Sequence, residues 1–283
     1  MTEDGRRRPA VRRTTRHKHL MVAHLKADIL LRVRARDDLS RVELASQLKL
    51  SPSTIGDYVD RLIADGFLVE WQKPDRDYGR PPTLLALNPD GGYFIGVDFH
   101  AQRLQANLVD FSQKPVRRVQ KDILATDSVD EIIAKIKDAI EKVAGGEMHK
   151  VLGIGIGVPG SIDRQRQIAV RYAHIPGWKN IPLARLIKER FNVEVFLENN
   201  IRSMALAELW FGQGWGLDNF VCIGVRTGIG AGIIVRGVLL HGEQNLAGEI
   251  RSWLCPVRLE RTRSGGRKAR QAAFHRFPEL LGL

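Results

Sequence analysis

Eight apolar residues in succession, Val151-Leu152-Gly153-Ile154-Gly155-Ile156-Gly157-Val158, run from Lys150 into a Pro159-Gly160-Ser161 turn. A run of that length without a polar position, bounded by turn residues, reads as a buried strand, and a buried strand obliges the surrounding chain to supply covering layers. The neighbouring segments have the right patterns. Tyr93–Asp98 opens a strand, Leu104–Asp110 alternates as a second, and Val116–Ile123 provides a third. Val129–Ala144 and Leu183–Phe191 have the spacing of amphipathic helices, Val193–Leu197 reads as a strand, and Ile201–Phe211 as a helix that begins just after Glu198-Asn199-Asn200. This alternation predicts an α/β layer architecture. Ligand groups in open α/β sheets gather at the C-terminal ends of strands, which draws attention to Glu198-Asn199-Asn200.

The first ninety residues follow a different pattern. Leu25, Ile29, Leu30 and Val33 recur at helical spacing between Ala23 and Arg36. Ser40 with Glu43 three residues on is a capping-box signature for a second helix, whose inner face is read as Val42, Leu44, Ala45 and Leu48. Ser51 caps again with Pro52 at the first helical position, and Ile55, Val59, Leu62 and Ile63 lie beneath a solvent face of Ser53, Thr54, Asp57, Tyr58 and Arg61. Gly66 ends this helix as its C-cap. Phe67–Trp71 and Thr83–Leu87 then read as paired strands around a polar Pro74–Pro82 loop, flanked and populated by Lys73, Arg76 and Arg80. The arrangement predicts a winged helix-turn-helix whose third helix is the candidate recognition helix, with Ser51, Ser53, Thr54, Asp57, Tyr58, Arg61, Lys73, Arg76 and Arg80 as candidate DNA contacts. Asp57 stands where phosphate proximity favours a cation, although an acid there accepts from cytosine N4. A three-helix module that binds protein is the competing reading.

Charge distribution supports a polyanionic partner. The formal net charge is +12, and residues 1–36 hold 11 Lys or Arg against 3 acids while residues 251–283 hold 8 against 2, leaving the body close to neutral. A basic arm over residues 1–19 suits phosphate contact, with a solvated tail as the alternative. The chain has 2 cysteines, Cys222 and Cys255, too few for a disulfide framework. With no signal-peptide pattern and no apolar run of membrane-spanning length, a cytoplasmic location is expected.

Gly157-Val158-Pro159-Gly160-Ser161-Ile162-Asp163, Ile175-Pro176-Gly177-Trp178, Glu198-Asn199-Asn200, Thr227-Gly228-Ile229-Gly230-Ala231-Gly232 and Leu246-Ala247-Gly248-Glu249-Ile250, in that order, resemble the ROK family of sugar kinases and repressors. With the winged helix in front, the chain is similar to the xylose-repressor-like branch. The resemblance implies an arm over 1–19, a DNA-binding domain over 20–90, and over 91–283 an actin-like, ribonuclease H-like sugar-kinase body whose second lobe is cut short. It also implies a sugar or sugar-phosphate effector held by Gly160, Ser161, His174, Asn199, Asn200 and Glu249, and a homodimer on DNA.

Departures from the family pattern imply lost catalysis. Family kinases place an aspartate general base where this chain has Asn200, and an amide cannot take the sugar hydroxyl's proton, a loss of about 10²–10⁴ in rate. Where the family follows its first aspartate with Gly-Gly-Thr beneath the ATP phosphates, Asp98 is followed by Phe99-His100-Ala101-Gln102, and Arg226 replaces the leading glycine of the second phosphate loop. His100 reads as a surface residue of a replaced loop, with a catalytic base as the alternative. The family's zinc-binding His and three Cys align with Ser252, Thr262, Ser264 and Ala269, and a sugar-contacting Glu with Gln271. No zinc, no cofactor and no enzymatic turnover are therefore expected. The alternatives are a degenerate or truncated ROK paralogue with impaired effector response, and an ATP-dependent sugar kinase.

Overall fold

The computed structural model describes residues 24–36, 38–72, 83–225 and 228–250. The expected arm, the wing residues Lys73, Arg76 and Arg80, Arg226, Thr227, and the whole segment carrying Ser252, Thr262, Ser264, Ala269 and Gln271 lie outside them. The chain divides into two compact units, Met1–Asn200 and Ile201–Leu283.

The first unit begins with a helix over residues 24–35, α1. A short strand β1 (Leu39–Ser40), α2 (Arg41–Leu48), α3 (Pro52–Ala64), β2 (Leu68–Gln72) and β3 (Thr83–Leu87) follow. The sequence pattern locates α1 by its apolar spacing, and α2 and α3 also by their caps, which are local chemistry: Ser40 and Glu43 form the full capping box, and the Ser51 hydroxyl accepts the Thr54 N–H at 3.1 Å. Ile29, Val33, Leu44, Ile55, Val59 and Leu62 close the core between the helices. Each such side chain, fully buried, contributes on the order of 1.5–3 kcal/mol. Three details differ from expectation. Val42 is 71% exposed, because at the start of α2 it projects away from the stripe of Leu44, Ala45 and Leu48. Asp65, in right-handed helical geometry, takes the C-cap of α3, and Gly66 follows it at φ 79°. The two-residue β1, too short for any periodicity to register, pairs with β3 to give an antiparallel sheet ordered β1-β3-β2.

Next come β4 (Tyr93–His100), β5 (Arg103–Asp110), β6 (Pro115–Asp122), α4 (Val129–Ala144) and β7 (Val151–Val158). A small antiparallel sheet of β8 (Ser161–Asp163), β9 (Ile168–Arg171) and β10 (Lys179–Ile181) precedes α5 (Leu183–Phe191) and β11 (Val195–Asn199). The five-stranded sheet runs β11-β7-β4-β5-β6, parallel across β11, β7 and β4 and antiparallel across β4, β5 and β6. Ile95, Val97, Phe99, Ile154 and Ile156 pack on one face with Ile132, Ile136 and Ile140 of α4. The apolar run that reads as a wholly buried strand is covered on that side, whereas Leu152 and Gly155 are exposed. Glycine scores as apolar in a sequence but brings no side chain to bury. The β8–β10 sheet escapes the sequence pattern because its strands are only three or four residues long.

The second unit holds the body of α6, which spans Asn200–Phe211, with β12 (Phe220–Val225), β13 (Ile229–Val235) and β14 (Val238–Leu239) in an antiparallel sheet of that order. Ala205, Ile234 and Leu239 form its buried cluster. A Cβ at Gly224 would lie 2.2 Å from Ile201 Cδ1 and one at Gly232 2.3 Å from Ala205 Cβ, so these glycines admit α6 against the strand pair.

Replacing Ser51 with alanine is expected to lower stability by about 1 kcal/mol, and Ser51→Asp to retain most of it, because only the latter keeps an acceptor for the Thr54 N–H. Chemical denaturation followed by circular dichroism measures both.

Candidate functional site

Two surfaces of the first unit carry the candidate chemistry. On α3 the apolar stripe fixes what is left outside: Ser51, Ser53, Asp57 and Arg61 are exposed, and Thr54 and Tyr58 half-buried. Ser51 is engaged in capping, with the Ser53 and Thr54 hydroxyls at 3.0 and 2.8 Å. The Arg61 guanidinium lies over the Tyr58 ring, 5.8 Å from its centroid. Asp60 is held by Arg41 at 2.7 Å, and the same guanidinium bonds Glu70 of β2 at 2.7 Å, tying α2, α3 and the wing sheet together. Burial lowers the Arg41 pKa, and the bonds to the two carboxylates outweigh it, so the group is held above its usual value. Asp57 makes no ion pair among the described residues. Gly56 costs the helix about 1 kcal/mol against alanine, yet a Cβ there would meet nothing within 4 Å. Packing within the described residues does not account for it.

The second surface forms where β4, β7 and β11 end. A Cβ on Gly157 would lie 3.2 Å from Asp98 Oδ1 and 3.5 Å from the Asn200 Cα, so these three positions converge because residue 157 lacks a side chain. Gly160, at φ 78°, lies so close to β9 that a Cβ would come 2.1 Å from the Arg171 carbonyl oxygen. The buried Asn199 donates its side-chain N–H to the Gly160 carbonyl at 2.8 Å. Gly160, Asn199 and Asn200 are thus drawn to one corner, with Ser161 leading from it into β8. His174, exposed in the turn after β9, lies against Tyr172 with ring centroids 5.2 Å apart and the planes tilted by 55°. Glu249 belongs to the second unit, where its N–H donates to the Leu246 carbonyl at 3.2 Å.

Arg164 and Gln167, which no sequence pattern singles out, help hold this corner in place. Glu198 accepts the Asn199 backbone N–H at 2.8 Å and pairs with Arg164 at 3.2 Å, and Gln167 accepts the Leu197 N–H at 2.6 Å. The β8–β9 hairpin is thereby fastened to the edge strand β11. An acid beside two asparagines gives no periodic signal, and its partner is 34 residues away in sequence.

The segment after Asp98 does not fit a phosphate cradle. Phe99 is wholly buried against Trp178, His100 pairs with Arg103 across a tight hairpin, and the Gln102 N–H donates to His100 Nδ1 at 3.3 Å. The second loop's Arg226 and Thr227, and the positions aligned with zinc ligands, lie outside the described residues.

Residues 94–251, more than half of the chain, match the ROK family. The chain belongs to the ROK family. Residues 24–69 of this ROK chain match a winged helix-turn-helix DNA-binding family. A xylose repressor from Caldicellulosiruptor bescii is 30% identical over 215 residues, covering 75% of this chain and 54% of the relative. A glucokinase from Thermotoga maritima is 36% identical over 156 residues, 55% of this chain and 49% of its own. Among solved structures, a ROK family transcriptional regulator described as a homologue of the E. coli MLC protein aligns with a TM-score of 0.65 at 27% identity, over 80% of this chain and 59% of that one. A ROK glucokinase from Streptomyces griseus in complex with glucose and AMPPNP gives 0.52 at 30% identity, over 56% and 49%. The ROK chain spans about half the length of the curated relatives it matches. Both regulators match more of it than residues 94–251 hold, so those matches extend beyond the ROK segment, whereas the glucokinase matches are no longer than that segment.

Gly160→Ala is expected to cost about 1–3 kcal/mol from the left-handed backbone alone, lowering the melting temperature by roughly 4–8 °C at 2 kcal/mol. Differential scanning calorimetry checks it; an unchanged melting temperature would show that the hairpin moves aside at no cost.

Proposed function

We propose that this ROK chain is a sugar-responsive, DNA-binding transcriptional regulator, a repressor, whose kinase-like body binds its effector without turning it over. The domain division that goes with this reading is a basic arm over 1–19, the winged helix over 20–90 and the ROK body over 91–283, acting as a cytoplasmic homodimer. The observation that carries it is the outer face of α3. Ser53, Thr54, Asp57 and Arg61 stand clear of the core on a helix anchored by Ile55, Val59 and Leu62. Such a face suits the major groove, where Arg61 donates to guanine or phosphate and Asp57 accepts from cytosine N4. Lys73, Arg76 and Arg80 supply the wing's phosphate contacts.

The effector is a sugar or sugar phosphate bound at Gly160, Ser161, His174, Asn199, Asn200 and Glu249. Asn199 and Asn200 recognise hydroxyl groups by hydrogen bonding, and the xylose repressors among the relatives favour a pentose. The glucokinase relatives make phosphoryl transfer the competing reading. Against it stand an amide at Asn200 in place of a base and the filled turn after Asp98, since positioning of the phosphoryl group supplies most of that catalysis.

Full-length protein is expected to bind a duplex selected from random sequence, with affinity falling steeply as salt rises from 50 to 200 mM because phosphate contacts release counterions. No affinity for any duplex at low salt would end the regulator reading.

Gly56→Ala is expected to stabilise the fold by about 0.5–1 kcal/mol and yet weaken binding to the selected duplex about tenfold, ~1.4 kcal/mol, because the groove wall takes the space a methyl group would fill. Thermal denaturation and fluorescence anisotropy read the two opposite signs. Asn200→Asp is expected to remain without sugar-dependent ATP consumption in a coupled assay with pentoses and hexoses.

A further inference from the structure

The C-terminal end of the recognition helix rests against the sugar-kinase-like body. After α3, Gly66 and Phe67 fold back with their N–H groups on the carbonyls of Ile63 and Leu62 at 3.0 and 2.9 Å. Asn88, in the connector to β4, donates its side-chain N–H to the Gly66 carbonyl at 2.7 Å and its backbone N–H to the Phe67 carbonyl at 3.0 Å. The Phe67 ring then meets Phe111, centroids 5.0 Å apart, and Phe111 in turn stacks on Phe94 of β4 at 6.0 Å and 28°. Gly91 lies beneath this stack, where a Cβ would come 2.9 Å from the Gly66 carbonyl oxygen and 3.2 Å from the Phe111 ring.

Phe111 is itself held firmly. It sits in the β5–β6 turn, where the Asp110 carboxylate accepts from the Ser112 hydroxyl at 2.7 Å and the Lys114 N–H at 3.0 Å, and Gln113 takes a left-handed backbone at φ 71°. Asp98 lies further along the same β4 strand, four residues from Phe94 and so roughly 13 Å away. One strand therefore has the candidate ligand corner at its end and the recognition helix's support near its beginning.

We infer that Phe111 is a positioning residue for DNA binding: through Phe67 it sets the orientation of α3 against the body, and through Phe94 it makes that orientation sensitive to β4 and thus to ligand at the Asp98–Asn200 corner. The inference rests on the DNA-binding reading. Coupling between distant sites can be carried by chains of packed side chains and rigid elements, and the three rings and β4 form one contiguous chain of that kind. Aromatic pairs contribute about 0.5–1.5 kcal/mol each beyond buried area, so losing both Phe111 contacts predicts an effect of about tenfold or more.

The test uses the full-length chain and its Phe111→Ala and Phe111→Leu variants. Backbone hydrogen exchange at Phe67 and Asn88, affinity for the duplex selected by wild type, and the change in that affinity on adding D-xylose or D-glucose are measured. Phe111→Ala is expected to speed exchange at both amides and weaken binding, each by about tenfold, and to abolish any sugar response. Phe111→Leu, which retains bulk and fold, should recover part of all three. Wild-type exchange and affinity in both variants overturn the inference, as does faster exchange with undiminished binding, which reduces Phe111 to packing. If wild type binds no duplex, the DNA-binding reading fails by itself, and exchange at Asn88 then decides whether the joint stands.

Discussion

The parallel pairing of β4 with β7 governs where everything else in the first unit is placed. It sets Asp98 beside Gly157 in register and leaves β4 free to take β5 and β6 on one side while β7 takes β11 on the other. Parallel strands require a crossover, and the route through β5, β6 and α4 lays α4 across one face, where Ile132, Ile136 and Ile140 seal it. Once β11 is added parallel to β7, the residues at its end have one destination: Asn199 reaches Gly160 and Asn200 reaches Gly157. The corner follows from strand order and the lack of side chains at 157 and 160.

The elements legible in the sequence are those with chemistry confined to a few neighbouring residues. Ser40 with Glu43 caps α2, and Ser51, followed by Pro52 at the first helical position, caps α3. The bounds of α4 and α5 also match the apolar periodicity residue for residue. What escaped notice depends on partners remote in the chain or on side chains that are absent. Two residues of β1 acquire meaning only beside β3, and the Glu198–Arg164 and Gln167–Leu197 contacts join segments about thirty residues apart. The glycines of β7 read as hydrophobic residues, though Gly155 is exposed and Gly157 makes room for Asp98 and Asn200. Within the candidate site, Gly160, Asn199 and Asn200 were legible as a resemblance and are brought together, while the fastening of that corner by Arg164, Gln167 and Glu198 required coordinates.

The site after Asp98 illustrates how a strand's period constrains what substitution does. Phe99 falls on the core side and joins Trp178, whereas His100 falls on the same side as Asp98 and closes the turn by accepting the Gln102 N–H. Bulk in that segment thus enters the core and the hairpin together. Removing it would disturb Phe99's packing as well as opening the loop, so this segment is part of what holds β4 and β5 in register.

The short connector from Asn88 to Gly92 has its own implication for how such proteins diversify. Winged helices are often regarded as interchangeable heads, joined to effector domains by tethers whose length hardly matters. Here Asn88 donates from both its backbone and its side chain to the two residues that turn the chain after α3, and Gly91 occupies a gap with no room for a methyl group. A recombination event that exchanged only the first eighty or so residues would bring in a foreign helix end against an unmatched seat. Successful exchange must carry the connector and the β5–β6 turn with it, so the unit of inheritance for this head extends past its own last strand into the body.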